Sequence, residues 1–175
     1  PRYQQWTHGV EALVAEEHKQ LDGFTKREKE AFVDLVLSGL FDSVRSDDGK
    51  SKMGAYRPYQ HQVEMLERGT RDGTPGIVTS GTGSGKTESF LLPILAHLSK
   101  EAVHWPAPLA PLDDGWLEKG KRFKPHRANE HPSRPQAVRA IVLYPLNALV
   151  EDQMVRLRKA LDSPEAREAM DHHFS

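Results

Sequence analysis

The chain has 175 residues, 37% hydrophobic and 28% charged, with a formal net charge of −1. That length suits one domain or one domain plus an extension, and the near-zero charge places any polyanion-binding surface in local patches. It has no cysteine, which excludes disulfide scaffolds and thiolate metal sites and fits a cytoplasmic protein, and no apolar run approaches the roughly 20 residues of a membrane span.

Residues 1–52 read as a helical N-terminal extension and a candidate docking surface for a protein partner. Val10 to Leu21 suits a helix. Thr25-Lys26-Arg27-Glu28 is a capping box, in which the Thr hydroxyl and the Glu carboxylate each satisfy a backbone N–H of the other. Ala31, Phe32, Leu35, Val36 and Leu40 follow at helical spacing, with Gly39 as the expected stop. Ser43 to Gly54 is polar and reads as a linker.

Residues 53–175 hold the chemistry. Pro58 suits a first helical turn, and Val63 and Leu66 continue at helical spacing. Arg71 to Gly76 is a turn cluster leading into a short β-branched strand, Ile77-Val78-Thr79. There follows Ser80-Gly81-Thr82-Gly83-Ser84-Gly85-Lys86-Thr87, then a helix over Glu88 to Lys100 with Pro93 inside it, where a bend is expected. Strand, Gly-rich turn, Lys-Thr and helix form the layout of a phosphate-binding loop. Small residues let backbone N–H groups approach a triphosphate, and the helix N-terminus adds unpaired N–H groups and positive dipole. Lys86 supplies a mobile point charge and the Thr87 hydroxyl a ligand for Mg²⁺.

Residues 101–137 hold six of the twelve prolines and no clear period, and read as an insertion. Seven residues from Lys119 to Arg139 are basic, opposed only by Glu130. This is either a phosphate-tracking stretch or a solvated loop. Val138 to Tyr144 reads as a buried parallel strand, and helices are expected over Ala148 to Leu161 and from Pro164 onward. The whole is the opening of a doubly wound α/β domain. The loosely grouped His126, His131, His172 and His173 lack metal-ligand spacing and read as solvated.

Three segments carry a resemblance to superfamily 2 helicases. Ser80 stands where a strict phosphate loop has glycine, and the resulting [AS]-x-x-G-x-G-K-T form is similar to their motif I. Tyr144-Pro145-Leu146-Asn147-Ala148-Leu149-Val150-Glu151-Asp152-Gln153 resembles motif Ia, in the version of the YprA-like and Lhr-like branch. Large phage-defence helicases of the DISARM (DrmA-like) and Druantia (DruE-like) systems share that style. Tyr59-Gln60-His61-Gln62 resembles the Q motif, with Gln62 as adenine reader and Tyr59 as its stacking or packing neighbour; an R-P-Y-Q alignment selects Gln60 instead.

The resemblance implies a P-loop RecA-like parallel sheet, of which this chain is the front part of the first domain. It implies ATP and Mg²⁺ as cofactors, with Tyr59, Gln62 and residues Ser80, Gly81, Thr82, Gly83, Ser84, Gly85, Lys86, Thr87 and Glu88 around the nucleotide. Pro145, Leu146, Asn147 and Gln153 are implied on the backbone of DNA, held without sequence preference. The chain contains no Asp-Glu pair. The acidic motif and the second RecA-like domain are therefore expected outside it, with negligible hydrolysis by these residues alone. Two other readings remain open at this point: a P-loop ATPase that does not act on nucleic acid, and a degenerate nucleotide-binding scaffold.

Overall fold

The computed structural model describes residues 3–47, 49, 52–71, 74–79, 81, 83–107, 132–134, 137–144 and 147–174. In chain order the elements are α1 (Lys26–Leu35), β1 (Ser43–Arg45), β2 (Lys52–Gly54), α2 (Gln60–Thr70), α3 (Lys86–Ala102), α4 (Asn147–Asp162) and α5 (Pro164–Phe174).

The capping box starts α1 as its sequence dictates. Thr25 N–H donates to Glu28 Oε2 at 2.7 Å, and Glu28 N–H to Thr25 Oγ1 at 3.3 Å. Glu28 also meets His104, just past α3, at 2.8 Å. Burial pushes the Glu28 carboxyl up, but the hydrogen bonds from His104 and Thr25 and the charge of Lys100 outweigh it and leave the carboxyl below its ordinary range.

Three expectations for the first 54 residues change. Val10 to Leu21 is not one helix but two short 3₁₀ turns, Val10–Val14 and Lys19–Leu21. Gly39 does not stop α1: the chain continues through a π turn, Val36–Leu40, closed by Phe41 N–H on the Val36 carbonyl at 2.9 Å. Glycine is needed there for another reason. A Cβ on Gly39 would lie 2.4 Å from the Lys159 carbonyl oxygen and 2.5 Å from Ala160 Cα, so its absence lets the backbone of α4 pack against the turn. The expected linker holds a short antiparallel pair, with Val44 opposite Met53.

One apolar cluster holds these elements together. Trp6, Val10, Leu13, Leu21, Phe24, Phe32 and Leu37 pack with Val63 and Leu66 of α2, Leu92 and Leu95 of α3, and Ala166 of α5. At roughly 25 cal/mol per Å² of apolar area, burial of this kind is the main stabilising contribution. Pro93 sits inside an unbroken α3, where its buried ring faces Gly69 of α2; a Cβ on Gly69 would come within 2.5 Å of it. The stretch from Asn147 to Phe174 is helical as expected, and Ser163 caps α5 by accepting from Ala166 N–H at 3.2 Å.

The parallel sheet is where expectation and structure part. Among the described residues the β structure consists of β1 and β2 and of Gln5 paired antiparallel with Tyr59. Residues 77–79 and 138–144 form neither strand nor helix, and Ile77 and Leu143 are 87% and 88% exposed. A strand exists only through its neighbours' hydrogen bonds, and among the described residues these two segments have no sheet partners. The end of the second segment is nonetheless anchored. Tyr144 packs edge-on against Phe90 of α3 at 6.3 Å, and burial raises its phenol above the ordinary range.

Most of the Pro-rich insertion lies outside the described residues, as do His126 and His131. The basic residues described there are held to the end of α3. The Arg134 guanidinium lies 3.6 Å from the centre of the Trp105 ring, and Arg139 pairs with Glu101. Of the expected solvated histidines, His173 is buried and meets Asp34 of α1 at 2.7 Å.

Candidate nucleotide-phosphate site

The Gly-rich turn ends in two left-handed residues, Gly83 at φ 71° and Gly85 at φ 72°. Non-glycine residues pay roughly 1–2 kcal/mol in that region, so the pattern requires glycine there. Between them Ser84 is buried, and its hydroxyl donates to the Gly81 carbonyl at 2.9 Å, bracing the turn. Gly85 is the N-cap of α3, whose first intrahelical bond returns from Ser89 N–H to the Gly85 carbonyl. The N–H groups of Lys86, Thr87 and Glu88 lie in that first turn and have no intrahelical acceptor. Lys86 is exposed, and its ammonium donates to the Gly81 carbonyl, placing the charge over the turn.

The residues of the Q-motif segment meet this turn. Gln62, 3% exposed, donates from Nε2 to the Gly85 carbonyl at 3.1 Å and accepts at Oε1 from Tyr59 N–H at 2.8 Å. Gln60 points elsewhere, donating to Glu64 at 3.1 Å. The helix start is fixed from below by the N-terminal segment: Gln60 N–H donates to the Gln4 carbonyl at 2.9 Å and Trp6 N–H to the Pro58 carbonyl at 2.8 Å. Tyr59 stacks with His61 at 5.6 Å and meets Tyr3 edge-on at 5.7 Å.

The two segments meet at one cleft of about 520 Å³, within the usual range for small-molecule sites. Tyr59, Gln62, Gly83, Ser84, Gly85, Lys86, Thr87 and Glu88 all contribute to it. Sequence reasoning missed other members of the lining: Gln5, Asp42, Tyr56, Arg57 and Arg156 among them. Arg57 and Tyr56 lay beside the Q-motif match, but nothing local in the sequence joins Asp42 or Arg156 to residues 83–88. Ser80 and Thr82 lie outside the described residues.

The arrangement fits an anionic phosphate tail. Donor-rich backbone opens the helix, a cation lies above it, and the bracing side chains are small or uncharged. Lys86 and the helix-start N–H groups would hold the phosphates and the Thr87 hydroxyl an attendant Mg²⁺. The buried Gln62 amide holds the turn's last glycine in place.

The residues of the motif Ia match are placed less completely. Pro145 and Leu146 lie outside the described residues. Asn147 opens α4, and Gln153 is buried on it, with Nε2 donating to Asp152 at 3.2 Å and Oε1 lacking a hydrogen-bond partner among the described residues. Arg156, further along α4, reaches back to the cleft and meets Glu88 at 2.8 Å.

A glycine-built turn at a helix start, with a lysine above it and a buried glutamine behind, defines a phosphate-loop protein. The DEAD/DEAH box helicase family model matches residues 59–172, and the chain belongs to that family. Over 137 residues it is 37% identical to Druantia protein DruE of Escherichia coli (strain UMEA 4076-1), a match covering 77% of this chain and 6% of that protein. No solved structure matches the chain. The family implies a RecA-like α/β fold, of which the described residues show helices and the glycine turn ahead of α3 but not the parallel sheet.

Proposed function

We propose that this chain is the nucleotide-binding front part of an ATP-dependent nucleic-acid motor, a DNA helicase or translocase serving bacterial defence against phage or DNA repair. The observation that carries the reading is the convergence of Gly83, Gly85, Lys86 and Gln62 on one cleft. ATP with Mg²⁺ is the ligand that suits it: the phosphates on the turn and Lys86, the metal at Thr87, the base toward Tyr59 and Gln62. Of the two glutamines, Gln62 is the one favoured for the base, because it lines the cleft while Gln60 pairs with Glu64.

The polynucleotide contact is assigned to Pro145, Leu146 and Asn147 of the motif Ia match, the last of which opens α4. Backbone N–H groups there would grip phosphates, with the buried Gln153 supporting the helix from within. Such a grip reads no bases, so binding is expected to fall with salt, at a single-strand slope of about −0.7 per phosphate contact. The relatedness to Druantia protein DruE supports the defence assignment. Hydrolysis is assigned to the longer protein, because the Asp-Glu motif and a second RecA-like domain are not in this sequence. Residues 1–52, with their own share of the core, remain the candidate surface for a protein partner.

The test is titration of the chain with MgATP, comparing wild type with Lys86→Ala, and ATPase assays of a longer protein with and without single-stranded DNA. A wild-type chain that binds MgATP no better than Lys86→Ala sinks the nucleotide reading. A nucleotide-binding protein whose turnover ignores DNA points instead to an ATPase that does not act on nucleic acid.

A further inference from the structure

Among the described residues, Arg156 is the cleft residue that comes from α4, the helix that begins within the motif Ia match. Its Nη1 meets Glu88 Oε1 at 2.8 Å, and its Nε meets Asp152 Oδ2 at 3.4 Å. Glu88 follows Lys86 and Thr87 in the first turn of α3, and its side chain is only 15% exposed, whereas that of Arg156 is 49% exposed and opens on the cleft. Nη1 makes a hydrogen bond and Nε an ion-pair contact. The guanidinium carries five N–H donors in a rigid fork, so Nη2 retains two for an anion while the carboxylates hold the group in place. A half-exposed ion pair is worth little to stability, which leaves its position at the phosphate turn as its notable property.

Resting on the nucleotide reading above, we propose that Arg156 is a second phosphate-contacting cation of the cleft, in addition to Lys86. It takes the terminal phosphate of a nucleoside triphosphate through Nη2 while Glu88 and Asp152 fix its fork. Because α4 carries both Arg156 and Asn147, nine residues or about 14 Å apart along the axis, that contact joins the phosphate tail to the proposed polynucleotide grip by one rigid helix. Lys159, one turn further on, is held to Asp42 at 3.4 Å, so it does not substitute for Arg156.

The experiment is calorimetric titration of the 175-residue chain with MgATP and with MgADP, for wild type, Arg156→Ala and Arg156→Lys, with thermal unfolding measured without nucleotide. Losing a charge-assisted hydrogen bond to the terminal phosphate weakens MgATP by roughly 10–100-fold in Arg156→Ala and MgADP by much less, so the preference for ATP collapses. Arg156→Lys keeps the charge without the fork and recovers only part of the preference, and it serves as the test if Arg156→Ala unfolds. An unchanged ATP-to-ADP ratio in a folded Arg156 variant overturns this inference while the nucleotide reading stands. A wild-type chain that binds neither nucleotide overturns both.

Discussion

The Gln62 amide and the Gly85 carbonyl are 3.1 Å apart, and that bond ties the start of α2 to the residue on which α3 begins. The same amide accepts from Tyr59 N–H, so one buried side chain fixes the Q-motif turn and the phosphate turn relative to each other. Replacing Gln62 by Ala leaves the Tyr59 N–H partly buried without this acceptor, while the Gly85 carbonyl keeps only its bonds from Ser89. A loss of about 1–3 kcal/mol in unfolding free energy is expected, together with weaker nucleotide binding. Chemical denaturation and nucleotide titration of the same variant check both.

Gly85→Ala is expected to be the more damaging change. It forces a Cβ into a left-handed residue, at about 1–2 kcal/mol, and sets that Cβ 2.2 Å from Gln62 Nε2. The glutamine must move, and the turn loses its brace. Circular dichroism should show α3 largely retained, while MgATP affinity falls below detection.

Lys86→Ala should do the opposite to stability. The ammonium is exposed, so unfolding free energy should change by no more than about 0.5 kcal/mol. Nucleotide affinity should fall roughly 10–100-fold through loss of a charge-assisted contact. Parallel melting curves with unequal binding isotherms are the expected result.

Gly39→Ala tests the docking of α4. The added methyl meets backbone atoms of Lys159 and Ala160, which cannot swing aside as a side-chain tip would. Overpacking of this kind costs about 1–3 kcal/mol, or a melting-temperature drop of several degrees for a chain of this size. Gly69→Ala should behave similarly against Pro93, offset by roughly 1 kcal/mol of improved helix propensity.

Acid stability should depend on Glu28. Its carboxyl titrates below the ordinary value of 4.5 in the folded chain. The stabilisation is therefore fully present above the unfolded value and is lost as the pH falls through the folded one. Glu28→Gln removes that linkage. Melting temperature plotted against pH should fall less steeply below about pH 4.5 in the variant than in wild type, and the two curves should differ most near neutral pH.

Local chemistry made much of this protein legible from its residues. The Thr25–Glu28 capping box, the Ser163-Pro164 start of α5, and the run from Gly83 to Thr87 each encode their conformation within a few positions. A cap or a left-handed turn depends on the residues that form it and little else. Sequence also placed Gln62 among the cleft residues. It did not give the role of Gly39, which the approach of α4 determines, nor the packing of Pro93 against Gly69. It could not join Asp42 and Arg156 to the cleft, because a side chain's long-range neighbours have no local signature. The apolar runs at 77–79 and 138–144 marked strand character, yet a strand needs hydrogen-bonding partners that its own sequence does not supply. What the sequence alone determined was the left-handed glycine turn ahead of α3, since glycine's freedom at φ near +70° is intrinsic to the residue. What the tertiary structure decided was which side chains face that turn, since packing of the helices sets those distances.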